Sequence, residues 1–192
     1  MARLLARTRL TPNQASWGAF GIALLSCVSF IFGQNIIGGL LAQLSSIADG
    51  IDGSLARLKG MSSTFGGFLD SVLDRYADIL IVLGLTLWSV WNEAYADAGI
   101  WLAGFLAIAG TICVSYTRAR IGSNHRHLFD KGLKSLASRD IRLFLIMLGG
   151  ITGQAYFSLI VIAVLTNLMV FYRLIYIYRY LRQESNQSES TP

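Results

Sequence analysis

Long apolar runs, each closed by a short polar or glycine-containing break, dominate the chain. Six such segments can be drawn, over 14–32, 36–58, 63–90, 98–116, 141–152 and 156–178. Breaks fall at Gly33-Gln34-Asn35, at Lys59-Gly60-Met61-Ser62 and around Glu93 to Asp97, with a longer polar loop over 118–138. A helix rises ~1.5 Å per residue, so about 20 residues cross a ~30 Å hydrocarbon core. The pattern predicts an all-α membrane protein, a bundle of six transmembrane helices. The fifth segment is short and must borrow residues from Ser138 or from beyond Gly153. Residues 1–182 form one membrane domain, and 183–192 read as a polar, disordered tail. No internal repeat or linker divides the domain.

Composition agrees with a bilayer as solvent: 54% of the 192 residues are hydrophobic and only 14% charged. Arg3, Arg7 and Arg9 before an apolar run mimic a signal peptide. Thr11-Pro12-Asn13 is instead a helix start, and no small-residue cleavage site closes the run, so an uncleaved first span is expected. Of the 16 Lys and Arg, all but Arg75 lie toward one side: before the first span, in or beside the second-to-third and fourth-to-fifth connections, or toward the end of the sixth span. The opposite loops carry Glu93 and Asp97. The positive-inside rule therefore places both termini in the cytoplasm. The net charge of +5 reflects this orientation, and a nucleic-acid partner is excluded because basic and aromatic residues do not interleave in a polar segment.

Cys27 and Cys113 lie within apolar runs and read as small buried residues, without a disulfide or metal role. Trp17, Trp88, Trp91 and Trp101 lie near span ends and read as interfacial anchors. Gly149 and Gly153 form a small-xxx-small pair, for packing within the bundle or between two copies. His125 and His127 belong to the polar loop and lack a partner with metal-ligand spacing.

Five aspartates in two consecutive spans change the picture. An ionised carboxylate costs at least ~2.5 kcal/mol at the bilayer centre. Asp49 and Asp52 are spaced i, i+3, and Asp70 and Asp74 i, i+4, so each pair shares a helix face. The short connection at Lys59-Gly60 makes the two helices antiparallel neighbours. It brings both pairs to a similar depth, roughly 10–15 Å below the cytoplasmic surface. Four facing carboxylates repel unless bridged by cations, and hard divalent ions suit oxygen ligands, so two Mg²⁺ or Mn²⁺ ions are expected. Gly53 and Gly66 would leave room beside them. Arg75 would pair with Asp78 or Asp74.

The stretch Asp49-Gly50-Ile51-Asp52-Gly53-Ser54-Leu55-Ala56-Arg57, then Gly66, Asp70 and Asp74, resembles the signature of the CDP-alcohol phosphotransferase family at every fixed position. The resemblance implies transfer of a substituted phosphoryl group from a CDP-alcohol to a second alcohol, with release of CMP. Asp49, Asp52 and Asp70 would bind metal. Asp74 would complete the metal site and act as general base. Asp49, Asp52, Gly53, Ala56, Arg57, Gly66 and Asp70 would form the CDP site. The segments 115–120, 138–143 and 74–78 resemble the inositol-phosphate branch, which implies a phosphorylated polyol acceptor held by Arg118, Arg139 and Arg173. The donor would be a CDP-lipid or CDP-inositol; the latter branch often carries a fused cytidylyltransferase domain, which these residues do not contain. The basic loop also suits anionic lipid head groups. A homodimer is implied by the family alone. The alternatives are a glycerol 3-phosphate or amino-alcohol acceptor and, from another class, an ion-coupled membrane carrier.

Overall fold

The computed structural model describes residues 11–61, 63–120 and 138–189, without the side chains of Asp52 and of 183–189. His125, His127 and most of the polar loop lie outside them. Six helices are present among the described residues: α1 (Pro12–Ile31), α2 (Asn35–Lys59), α3 (Thr64–Asn92), α4 (Asp97–Arg120), α5 (Arg139–Thr152) and α6 (Ala155–Glu189). The expected breaks are where the chain turns. α1 opens with a capping box: the Gln14 N–H donates to Thr11 Oγ1 at 3.3 Å and the Thr11 N–H to Gln14 Oε1 at 3.0 Å, with Pro12 in the first turn. α2 ends at Gly60, whose φ of 63° is the left-handed conformation that stops a helix cheaply only at glycine. Ser63 restarts the chain by accepting from the Gly66 N–H at 3.0 Å.

Three helices, α1, α4 and the 155–182 part of α6, are long and apolar enough to cross a membrane. α2 and α3 have the length, but they carry the aspartates and basic residues that dilute their hydropathy. α5 has 14 residues, adding Arg139 and Asp140 to the segment drawn from sequence, with Ser138 as its N-cap and Gly153, at φ 68°, as its C-cap. At ~1.5 Å per residue it is ~21 Å long. The tail expectation also needs correction, because α6 runs on to Glu189.

The neighbourhood of α2 and α3 differs from the simple hairpin expected. Both pack along α1, and α2 also packs on α5, while α2 and α3 touch each other only sparsely. α4 packs against α6 and α3. Close approach explains the first set. A Cβ on Gly84 of α3 would stand 2.9 Å from Cys27 Cα of α1, and one on Gly39 of α2 would stand 3.0 Å from the Met147 carbonyl of α5. Interhelical hydrogen bonds reinforce it: Ser26 Oγ to Gly38 O at 2.7 Å, Ser45 Oγ to Ala19 O at 3.1 Å and Asn35 Nδ2 to Gly150 O at 2.8 Å. Such bonds contribute ~0.6 kcal/mol each within a membrane. Phe30, Ile81, Leu85, Ile100, Leu143, Ile146, Leu159 and Ile162 fill the centre, while Leu24, Leu25, Phe105, Val164 and Leu168 face outward.

Several smaller readings are settled by this packing. Cys27 is buried, but Cys113 is exposed on α4. Trp88 belongs to the core instead of an interfacial belt; the α5–α6 turn lies against that end of α3, with Gly153 near the Trp88 ring and the Tyr156 N–H donating to Glu93 at 2.9 Å. Gly149 lies against the Ser158 side chain of α6, inside one chain, and Gly153 is a cap.

Candidate active site

The carboxylates meet because α1 holds α2 and α3 at a fixed separation. Asp49 from α2 and Asp70 and Asp74 from α3 each offer one oxygen, and the three oxygens lie within 4.8 Å of one another. Three hard oxygen donors from two rigid helices fit a divalent cation such as Mg²⁺ or Mn²⁺. Asp52 lies on α2 within the same stretch; its side chain is outside the description.

Beside the carboxylates opens a cavity of about 280 Å³. It is lined by Gly53, Ala56, Arg57, Gly66 and Asp70, five of the residues placed in the nucleotide site from sequence. A Cβ on Gly53 would meet no atom within 4 Å, so this glycine leaves the cavity open. Gly66 does so less freely, since a Cβ there would stand 3.0 Å from Ser63 Oγ and 3.1 Å from Asn13 Oδ1. The third wall was not foreseen: Pro12, Asn13 and Ser16 of α1, with Met61, Ser63 and Gly67, complete the lining. The polar start of an otherwise apolar first span was the available signal, read only as a helix start.

Arg139, at the first position of α5, enters the carboxylate cluster. Its guanidinium NH1 lies 2.7 Å from Asp49 Oδ2 and 2.6 Å from Asp74 Oδ1, and its Nε 3.1 Å from Asp78 Oδ1. Asp140, the next residue, accepts from Ser46 Oγ at 2.6 Å and so ties this turn of α5 to α2. Ser16, Ala19, Phe20, Leu73 and Ala77 wall the cluster. The cluster is partly buried, which strengthens each ionic contact relative to one in bulk water.

Two other arginines behave differently from expectation. Arg75 does not pair with Asp78 or Asp74; its NH1 donates to the Ser71 carbonyl at 2.6 Å. One residue past Asp74 is ~100° around the helix, so Arg75 leaves the carboxylate face. Asp78 is taken by Arg139 and by Arg142, whose NH2 lies 2.7 Å from Asp78 Oδ2. Arg142 is itself buried. Of the three arginines assigned to the acceptor, Arg139 reaches Asp49, Asp74 and Asp78. Arg118 is exposed on the last turns of α4. Arg173 is buried against the same end, donating to Val114 O at 2.7 Å and Thr117 Oγ1 at 3.0 Å.

Comparison with known proteins agrees with this geometry. The family described as CDP-alcohol phosphatidyltransferase matches residues 9–169. The bifunctional IPC transferase and DIPP synthase of Rubrobacter xylanophilus is 39% identical over 171 residues, covering 89% of this chain and 38% of that protein. The chain thus spans little more than a third of the length of the bifunctional relatives it matches. The archaetidylinositol phosphate synthase of Pyrococcus horikoshii is 30% identical, over 86% of this chain and 82% of that protein. The fold is shared with the phosphatidylinositol phosphate synthase PgsA1 of Mycobacterium tuberculosis. With CDP-DAG bound, that structure has a TM-score of 0.74 at 23% identity, covering 90% of this chain and 89% of that one. Its complex with manganese and citrate has a TM-score of 0.76 at 23% identity, over 92% and 87%. These matches set aside the membrane-carrier reading, and the chain belongs to the CDP-alcohol phosphatidyltransferase family of transferases.

Proposed function

We propose that this protein transfers a substituted phosphoryl group from a CDP-alcohol to the hydroxyl of an inositol phosphate, releasing CMP. The observation that carries the reading is the position of Arg139 NH1, 2.6 Å from Asp74 Oδ1, within the carboxylate cluster whose Asp70 also lines the nucleotide cavity. A phosphate-binding fork thus lies beside a carboxylate able to take a proton, so a phosphorylated polyol held by the arginine would present a hydroxyl to Asp74.

In this reading the cytidine diphosphate enters the 280 Å³ cavity past Gly53 and Gly66, with Arg57 at its rim. Asp49, Asp52, Asp70 and Asp74 would hold two Mg²⁺ or Mn²⁺ ions, which when bound would neutralise the donor pyrophosphate and the departing CMP. The acceptor hydroxyl oxygen attacks the phosphorus bearing the donor's alcohol. The bond from that phosphorus to the bridging oxygen breaks, CMP leaves with the bond's electron pair, and the hydroxyl proton passes to Asp74. Arg118 on the end of α4, and Arg173 of α6 packed against that end, would extend the acceptor site. The names of the relatives support inositol-containing products, and a CDP-lipid or CDP-inositol donor suits both. A homodimer and six spans, with both termini and the site facing the cytoplasm, complete the reading; the basic residues on those connections support it. Residues 1–182 would suffice for the reaction.

The test is CMP release by the purified protein with Mg²⁺ or Mn²⁺. CDP-diacylglycerol, a CDP-archaeol lipid or CDP-inositol would each be paired with inositol phosphate, glycerol 3-phosphate or serine. Turnover with inositol phosphate that disappears in Asp70→Asn is expected. Faster turnover with glycerol 3-phosphate or serine would overturn the acceptor assignment.

A further inference from the structure

The face of α3 that carries Asp70 and Asp74 continues one turn further to Asp78. Three carboxylates therefore stand in register, yet Asp78 does not join Asp49, Asp70 and Asp74 in the group of clustered ligand oxygens. Its surroundings account for the difference. Asp78 is 6% exposed. Its Oδ1 accepts from Arg139 Nε at 3.1 Å and its Oδ2 from Arg142 NH2 at 2.7 Å. Arg142 is itself 5% exposed, so this pair is held inside the protein. The guanidinium of Arg139 is thus divided. Its Nε edge belongs to Asp78, while NH1 reaches Asp49 and Asp74, two members of the cation group.

We propose that Asp78 is a positioning residue that limits how strongly Arg139 competes with a divalent cation for Asp49 and Asp74. This rests on the metal-site reading above. A guanidinium and a dication draw on the same carboxylate lone pairs and repel each other, so the more firmly Arg139 is drawn to Asp49 and Asp74, the weaker the cation binds. Asp78 offers Arg139 a third carboxylate that no cation needs. Because Arg142 and burial fix that carboxylate, Arg139 can release the NH1 contacts and pivot about Nε without losing a charged partner. Removing the Asp78 charge leaves Asp49 and Asp74 as the carboxylates Arg139 contacts. The arginine then settles onto the cation site.

The test is Mn²⁺ binding to the full chain in detergent or nanodiscs, read by electron paramagnetic resonance of the free ion, with no substrate present. Asp78→Asn is expected to weaken Mn²⁺ binding about tenfold, within the range usual for groups that orient metal ligands. Two double variants then separate positioning from net charge, since each removes one positive charge from the same cluster. Asp78→Asn with Arg139→Gln should bind Mn²⁺ within about threefold of the unmodified protein, whereas Asp78→Asn with Arg142→Gln should stay about tenfold weaker. If Asp78→Asn does not fold, the two double variants decide between themselves. Equal recovery in both, or unchanged binding in Asp78→Asn, would overturn the proposal. Failure of the unmodified protein to bind Mn²⁺ would overturn the metal-site reading and this inference with it.

Discussion

At the scale of single residues, the site separates side chains that open space from those that set charge. Gly53 is the clearest of the first kind, bordering the cavity where a methyl group would meet nothing within 4 Å. Gly53→Ala should therefore raise stability by ~0.5–1 kcal/mol through helix propensity while raising the KM for the CDP-alcohol. Thermal unfolding and initial rates on one preparation check both halves. Arg139 is of the second kind. Arg139→Lys keeps the charge but loses the planar fork that reaches Asp78 and Asp74 together. Losing one charge-assisted hydrogen bond, ~1.5–3 kcal/mol, should raise the acceptor KM about ten- to hundredfold, with the donor KM little changed. A proportional rise in both constants would argue against an acceptor role. The aspartate spacing was legible in sequence because helical periodicity alone places Asp70 and Asp74 on one face. The partner of Asp78 was not, because Arg139 and Arg142 approach from a helix 61 and 64 residues away.

At the scale of elements, helix contacts decide whether the aspartates meet. α1 is the spacer: it lies along both α2 and α3, and its first turn also walls the cavity. One close approach is Gly84 against Cys27, where a side chain would press on backbone atoms of α1. Gly84→Val should cost about 1–3 kcal/mol, the usual range for overpacking, and it should also lower turnover by moving α1 from its place beside Asp70. Thermal unfolding in detergent, with CMP release by the folded fraction, would show both. Two helix boundaries were legible through local chemistry, the Thr11 start and the Gly60 stop, which act within a few residues, whereas Gly153, read as a packing residue, is a cap. The length of α6 was not legible, because the sequence beyond 182 is polar and shows no apolar period. The helix nonetheless continues to Glu189.

For the whole molecule, the distribution of charge makes a prediction about orientation. In a variant with Cys27 and Cys113 replaced by alanine, single cysteines at Ala96 and at Met61 should label differently in intact cells. An impermeant thiol reagent should reach Ala96→Cys from outside and Met61→Cys only after permeabilisation. The reverse pattern would invert the proposed topology. The helices that fall short as membrane spans, α2 and α3 by composition and α5 by length, are the ones that deliver Asp49, Asp70, Asp74 and Arg139. Polar groups within an apolar protein are costly, so they are concentrated where they serve one another.

The sequence alone determined the helical membrane architecture, the turns and the identity of the carboxylates. These rest on hydrophobic period, capping residues and spacing, all of which act over a few residues. The tertiary structure decided which helix fills the gap between α2 and α3, that Arg139 enters the carboxylate cluster while Arg75 turns away, and that Asp78 is held by arginines. Those outcomes depend on how closely distant helices pack and which charges they bring together. Local pattern carries no record of contacts made between helices so far apart in the chain.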